Sequence, residues 1–169
     1  QIGSAISFVR NTSGQVLFDL PLDNKLEFPD TDFAVSLWYK SNFVQADVNT
    51  NIVTRGGSGS KSFWTFKKFK GGGISFQLYD GVALAQVPVA VNGVVILDNN
   101  WHNLTAVVDR TNKEARTYVD GRLGAKSDIA VLGKIITSVS APKLYIDSGA
   151  VTNDESVIDA VRIYNSTLS

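Results

Sequence analysis

The residues best suited to chemistry lie in FWTFKKFKGGG, Phe63 to Gly73, with Arg55 upstream. Aromatic rings and lysines share this short run. A ring exposed on a strand stacks against the apolar C–H face of a sugar, while ammonium groups attract carboxylate or sulfate substituents. Successive strand residues point to opposite faces, which leaves two arrangements open. Either Trp64 and Phe66 face inward and Phe63, Lys67 and Phe69 face out, or the reverse parity exposes Trp64, Lys68 and Lys70. Both arrangements set an aromatic beside a lysine on one surface. The same string also suits a plain strand whose rings fill a core and whose lysines block edge pairing. Tyr79 and Asp80, at the next hairpin tip, with Asn49 and Asn51, offer hydrogen bonds to sugar hydroxyls. The candidate ligand-binding set is Arg55, Phe63, Trp64, Lys67, Lys68, Lys70, Tyr79 and Asp80.

Catalytic chemistry is tightly bounded. The chain of 169 residues has no Cys, no Met and one His, His102. A triad needs a nucleophile and an orienting partner around that imidazole, and no such motif surrounds it. Glycoside hydrolysis needs two facing carboxyl groups roughly 5 to 9.5 Å apart. The glutamates Glu27, Glu114 and Glu155 are scattered, although a spatial pair of Asp is invisible in sequence. The expectation is a non-enzymatic chain. Without Cys and with one His, zinc lacks its usual ligands, and metal chemistry narrows to calcium held by carboxylate, amide and carbonyl oxygens.

Lys plus Arg and Asp plus Glu each number 16, so the net charge is zero. A neutral chain is a poor candidate for duplex nucleic acid, whose binding depends on a basic surface, and no nucleic-acid partner is expected. No apolar run approaches the roughly 20 residues that cross a bilayer, so membrane insertion is not expected. A start at Gln1 without Met, and no signal segment, suggest a module excised from a longer protein.

The elements that must position these residues are strands. Turn signals recur at Ser13-Gly14, Gly56-Gly57, Gly71 to Gly73, Asp80-Gly81, Asn92-Gly93, Asp120-Gly121 and Ser148-Gly149. Short runs rich in Val, Ile, Phe, Tyr and Thr separate them, and no window shows a helical stripe. Strands are expected at Ile2 to Val9, Val16 to Phe18, Lys25 to Phe28, Phe33 to Tyr39, Asn51 to Thr54 and Phe63 to Phe69. They continue at Ile74 to Tyr79, Val82 to Val91, Trp101 to Asp109, Ala115 to Asp120, Lys143 to Ile146 and Ile158 to Tyr164. Residues 1–169 therefore read as one all-β domain, a two-sheet antiparallel β-sandwich.

Three segments narrow this further. WHNLTAVVDRTNKEARTYVDG, Trp101 to Gly121, is a hairpin closed by Asp120-Gly121 and resembles the Trp-His…Asp…Tyr-Val-Asp-Gly segment of laminin-G-like jelly rolls, the concanavalin A-like lectin domains. DFAVSLWYKSN, Asp32 to Asn42, is similar to that family's early strand, and VIDAVRIYNSTLS, Val157 to Ser169, to its closing strand. The order and spacing of the three fit one jelly roll from end to end. The resemblance implies sugar recognition, in a secreted or cell-surface protein, by a non-catalytic module. The Glu-x-Asp-x-x-Glu motif of related jelly-roll glucanases is missing. An anionic polysaccharide would suit the lysines. A protein or glycosaminoglycan partner in an adhesion module, or a spacer role, are the alternatives. The resemblance also implies one Ca²⁺ among the loops. Asp159 matches the family's C-terminal Asp, with Asp19, Asp23 and Asn24 as the nearest N-terminal donors and Asp147, Asn153 and Asp154 as a second acidic loop.

Overall fold

Alternation of apolar and polar residues along short segments demands partners on both edges and a sheet opposite. The computed structural model supplies them, and it describes residues 6–9, 16–19, 28–42, 49–56, 62–135, 143–148 and 155–168, with only the backbone of 6–9, 16–19, 143, 147, 148 and 155. The strands are β1 (Ile6–Val9), β2 (Val16–Asp19), β3 (Phe33–Ser41), β4 (Thr50–Arg55), β5 (Phe63–Lys68) and β6 (Ile74–Tyr79). They are followed by β7 (Leu84–Pro88), β8 (His102–Asp109), β9 (Glu114–Val119), β10 (Arg122–Asp128), β11 (Lys143–Ser148) and β12 (Glu155–Tyr164). No helix occurs among the described residues. One six-stranded sheet runs β1-β12-β3-β8-β9-β10 and the other β2-β11-β4-β5-β6-β7, and each strand pair is antiparallel. The chain is an all-β, two-sheet sandwich.

Facing sets of side chains seal the two sheets. Phe33, Val35, Leu37 and Tyr39 of β3 meet Leu104, Ala106 and Val108 of β8 on the inner side of the first sheet, all essentially inaccessible. Trp64 and Phe66 of β5 and Phe76 and Leu78 of β6 do the same on the second. Phe33 and Trp64 join the layers at 6.2 Å between ring centroids, and Phe28 stacks on Phe33 at 4.9 Å. Thr117 of β9 reaches across to donate its hydroxyl hydrogen to the Pro88 carbonyl of β7.

Local chemistry fixes the hairpins. Asp120 (φ 52°) and Gly121 (φ 75°) both take positive φ, as a tight β9–β10 turn requires. Asp109 holds the β8–β9 turn by accepting from the Asn112 backbone N–H at 2.8 Å and from its side-chain amide at 2.9 Å.

Sequence and structure part in three places. β10 is an additional strand, and Val82 to Val91 shrinks to Leu84–Pro88. Of the segment Lys25 to Phe28, only Phe28 lies inside the described residues; it is buried against the core but is not in a strand.

Candidate functional site

The parity of β5 is the inward one for Trp64. Trp64 is 1% exposed and Phe66 0%, so neither ring is available to a ligand. Lys68 and Arg55, each 1% exposed, lie on that same inner side, Arg55 directly opposite Trp64. This corrects the expectation that Arg55, Trp64 and Lys68 line a binding surface. Trp64 is held inside by Phe33 and Phe76, with ring centroids 6.2 and 6.3 Å from its own.

The outer face of the same sheet keeps the rest together. Phe63 faces Tyr79 across the β5–β6 ladder, with ring centroids 5.3 Å apart and planes tilted by 37°, both residues half-buried. The next row along the strands is polar: Thr54, Thr65, Gln77 and Gln86 stand side by side on β4, β5, β6 and β7. Gln77 donates to Gln86 at 2.9 Å, while the Thr54 and Thr65 hydroxyls donate to the Trp64 and Val53 carbonyls at 3.1 Å each. At the far end Lys67 stands opposite Ser75, its Nζ 5.7 Å from the centre of the Phe69 ring. Lys70 is exposed in the following turn, where its backbone N–H donates to Asn49 Oδ1 at 3.0 Å. Thr54, Thr65 and Gln77 are buried at 4, 2 and 5% exposure. The groups left accessible on this side are therefore the half-buried Phe63–Tyr79 pair and Lys67 with the exposed Gln86, and no carboxylate stands in those rows. Such a surface can stack a sugar ring and pair with its hydroxyls, but it holds no acid–base couple.

Asp80 has a different task. Its Oδ1 accepts from the Val82 and Ala83 backbone N–H groups, both at 2.7 Å, and its Oδ2 from Gly133 at 2.6 Å. Burial raises its pKa, but those three N–H donors outweigh burial and hold it below the ordinary carboxylate value. It shapes the β6–β7 turn and fastens the segment after β10.

The proposed calcium donors are not brought together among the described residues. Asp159 lies opposite Trp38 on the outer side of the β3–β12 sheet, and its Oδ1 accepts from the Ala160 N–H at 2.6 Å. Asp19 ends β2, the edge strand of the other sheet. Asp23, Asn24, Asn153 and Asp154 lie outside the described residues, and Asp147 is described only as strand backbone. No group of three or more His, Asp or Glu residues among the described residues is placed to hold a metal ion.

The sequence reading passed over a second face. On the outer side of the β3–β8 sheet Trp38 is 40% exposed, beside a closed network in which Asn103 Nδ2 donates to Ser36 Oγ at 3.2 Å and Thr105 Oγ1 donates to Asn103 Oδ1 at 2.9 Å. The odd–even parity of Asp32 to Asn42 was the signal for it: Leu37 and Tyr39 inward put Trp38 outward.

Residues 12–169 match the family model of the concanavalin A-like lectin/glucanases superfamily, in its laminin G form, and the chain belongs to that family. No curated protein sequence matches it. Among solved structures it is similar to the binding domain of Paraclostridial mosquitocidal protein 1, with a TM-score of 0.79 and 17% identity over 98% of this chain and 41% of that one. The botulinum neurotoxin serotype D ligand binding domain in complex with N-acetylneuraminic acid gives 0.72 and 15%, over 92% and 37%. The binding domain of botulinum neurotoxin DC in complex with rat synaptotagmin II gives 0.70 and 12%, over 100% and 42%. At these identities the likeness establishes the shared sandwich, and the chain spans about two fifths of each of those chains.

Proposed function

We propose that the chain is a non-catalytic, lectin-like module that binds glycan on the outer face of the β4–β7 sheet, as part of a secreted or cell-surface protein. The observation that carries this reading is the half-buried Phe63–Tyr79 ring pair on the same side of the sheet as the exposed Gln86 and the half-buried Lys67. Rings give apolar contact to a sugar face, and the exposed Gln86 amide gives hydrogen bonds of both senses. The absence of a carboxylate from the rows of these residues favours binding over hydrolysis. One of the neighbouring toxin domains is in complex with N-acetylneuraminic acid and another with rat synaptotagmin II, which makes a protein partner in an adhesion role the second reading. No helix among the described residues is long and apolar enough to cross a membrane.

Calcium belongs to this proposal as a tie between loops, with Asp23 and Asn24 as donors alongside Asp159 or Asp19. The test is a panel of immobilised neutral, carboxylated and sulfated glycans, probed with and without EDTA. Saccharide binding by the folded chain is expected, and its loss in EDTA would support the metal. A folded chain that captures no saccharide would overturn the reading.

A further inference from the structure

At the end of the sandwich where the β8–β9 turn meets the segment after β10, two depressions join. The first has a volume of about 270 Å³, and Asp30, Arg110, Lys113, Leu132, Gly133 and Lys134 are in its wall. The second, of about 420 Å³, shares Lys113 and adds Asn112 and Ser127. Small-molecule sites usually span roughly 300 to 1,000 Å³, so the first chamber suits a single sugar ring.

The polar groups of the first chamber are arranged for an anion. Arg110 Nη2 donates to the Pro29 carbonyl at 2.9 Å and to the Gly133 carbonyl, so main-chain oxygens, not a carboxylate, hold the guanidinium in place. Its Nε is buried without an acceptor, and its Nη1 makes no hydrogen bond among the described residues. Lys113 is exposed at φ 57° and forms no ion pair among the described residues. Lys134 Nζ is 3.0 Å from Asp30 Oδ2 and neutralises the one carboxylate in the wall. Four further carboxylates stand nearby. Glu114 and Asp128 line the second depression, Glu114 paired with Lys126 at 3.2 Å and Asp128 Oδ1 accepting from the Ala130 N–H at 2.7 Å. The other two serve the backbone. Asp32 Oδ1 takes the Arg110 N–H at 2.7 Å, and Asp80 Oδ2 the Gly133 N–H. Arg110 and Lys113 thus leave a positive excess facing a ring-sized hollow.

We propose that this groove binds the carboxylate of an acidic monosaccharide unit in the first chamber, between Arg110 and Lys113, with the adjoining sugar in the second, against Asn112 and Ser127. With Nη2 committed and Nε buried, Arg110 Nη1 is the group that can donate, and a charged donor beside the Lys113 ammonium favours a carboxylate over a hydroxyl. The inference rests on the glycan-binding reading only for the sugar character of the ligand, and it names a site separate from the Phe63–Tyr79 face.

The test is an NMR titration of the isotope-labelled chain with sodium glucuronate, glucose and sodium sulfate. Glucuronate should shift the amide signals of Arg110, Lys113 and Gly133 together with the Arg110 Nε–H, and glucose should leave them in place. Lys113→Gly keeps the positive φ of the turn while removing the charge; it should weaken glucuronate binding by about tenfold, the loss of one charge-assisted contact. Arg110 ties two segments together and its removal is a folding risk, so the lysine variant decides. Equal response to glucose and glucuronate would overturn the groove. Glucuronate shifts confined to Phe63 and Tyr79 would also overturn it while leaving the glycan-binding reading intact. Sulfate binding as tight as glucuronate would overturn the sugar assignment.

Discussion

His102 Nδ1 sits 2.7 Å from Asp120 Oδ2, and its Nε2 faces Asp98 Oδ1 at 3.1 Å. A neutral imidazole has one N–H, whereas two carboxylates call for two donors. Burial works against charging the ring, but the hydrogen bonds it donates to Asp120 and then to Asp98 outweigh it, and the pKa of His102 lies above its ordinary 6.5. The other Asp120 oxygen accepts from the Asn103 N–H at 2.8 Å, so one carboxylate fastens the start of β8 to the β9–β10 turn. The Trp-His and Asp-Gly of the sequence motif are thereby two ends of one clamp.

This clamp sets a pH window for stability. A group whose folded pKa is raised stabilises fully below its unfolded pKa and loses that contribution as pH rises through the folded value. His102 therefore contributes fully below pH 6.5 and progressively less above. Asp98 is held at about 2, first by the Asn100 side chain and then by the Asn100 N–H, so its contribution is present above pH 3.8 and lost as pH falls toward 2. Asp109 and Asp80, whose pKa values also lie low, share that acid limb. The melting temperature should peak between about pH 3.8 and 6.5, and His102→Gln should flatten the decline on the alkaline side. Circular dichroism melts on either side of pH 6.5 check this, and a parent protein with no alkaline decline would contradict it.

Trp64 is expected to matter for stability and not for ligand. Its ring is 6.2 Å from Phe33 and 6.3 Å from Phe76, fully inside the sandwich. Trp64→Ala should cost about 3 to 5 kcal/mol, the usual range for emptying a large aromatic site. Trp64→Phe should cost clearly less, because the buried indole Nε1 has no hydrogen-bond partner to lose. Urea denaturation reads both. A destabilisation by Trp64→Ala no greater than that of Trp64→Phe would contradict the packing described.

Alternation made the inner strands legible. The β8–β9 hairpin, expected at Trp101 to Asp120, is found within one residue of each strand end. β10 was invisible because Arg122–Asp128 is an edge strand with no residue fully buried and a register shift between Leu123 and Ala125, so no period of two survives. Val82 to Val91 overran because apolar residues continue past Pro88, which can close an edge strand but cannot donate to a ladder. The parity of β5 left two faces open, because aromatics and lysines occur at both odd and even positions. The groove around Arg110 draws on residues 30, 110–114 and 126–134, which only the closed sandwich juxtaposes.

Gly124 of β10 lies against the main chain just after β7, at Ala90. A Cβ there would stand 2.6 Å from the Ala90 carbonyl oxygen, which is main chain and has no side-chain freedom to yield. Gly124→Ala should destabilise by about 1 to 3 kcal/mol through overpacking. Gly73→Ala, where an added Cβ meets nothing within 4 Å, is the matched control and should leave the melting temperature nearly unchanged. Equal melting temperatures for the two variants would mean that β10 does not pack as described.

The outer face of the β4–β7 sheet yields the remaining prediction. Phe63 and Tyr79 are half-buried and contact each other, so removing either ring exposes the other without emptying the core. Phe63→Ala and Tyr79→Ala should each weaken glycan binding by about tenfold, the scale of one lost aromatic stacking contact. Both should remain more stable than Trp64→Ala. Lys67→Ala should weaken carboxylated or sulfated glycans alone, and the parent protein's preference for them should fade at about 1 M salt, where exposed charges are screened beyond about 3 Å. Isothermal titration with a bound glycan from the panel measures all three. Unchanged affinity in both ring variants would remove the Phe63–Tyr79 face as the site, since an aromatic in contact with a sugar cannot be truncated without loss of that contact area.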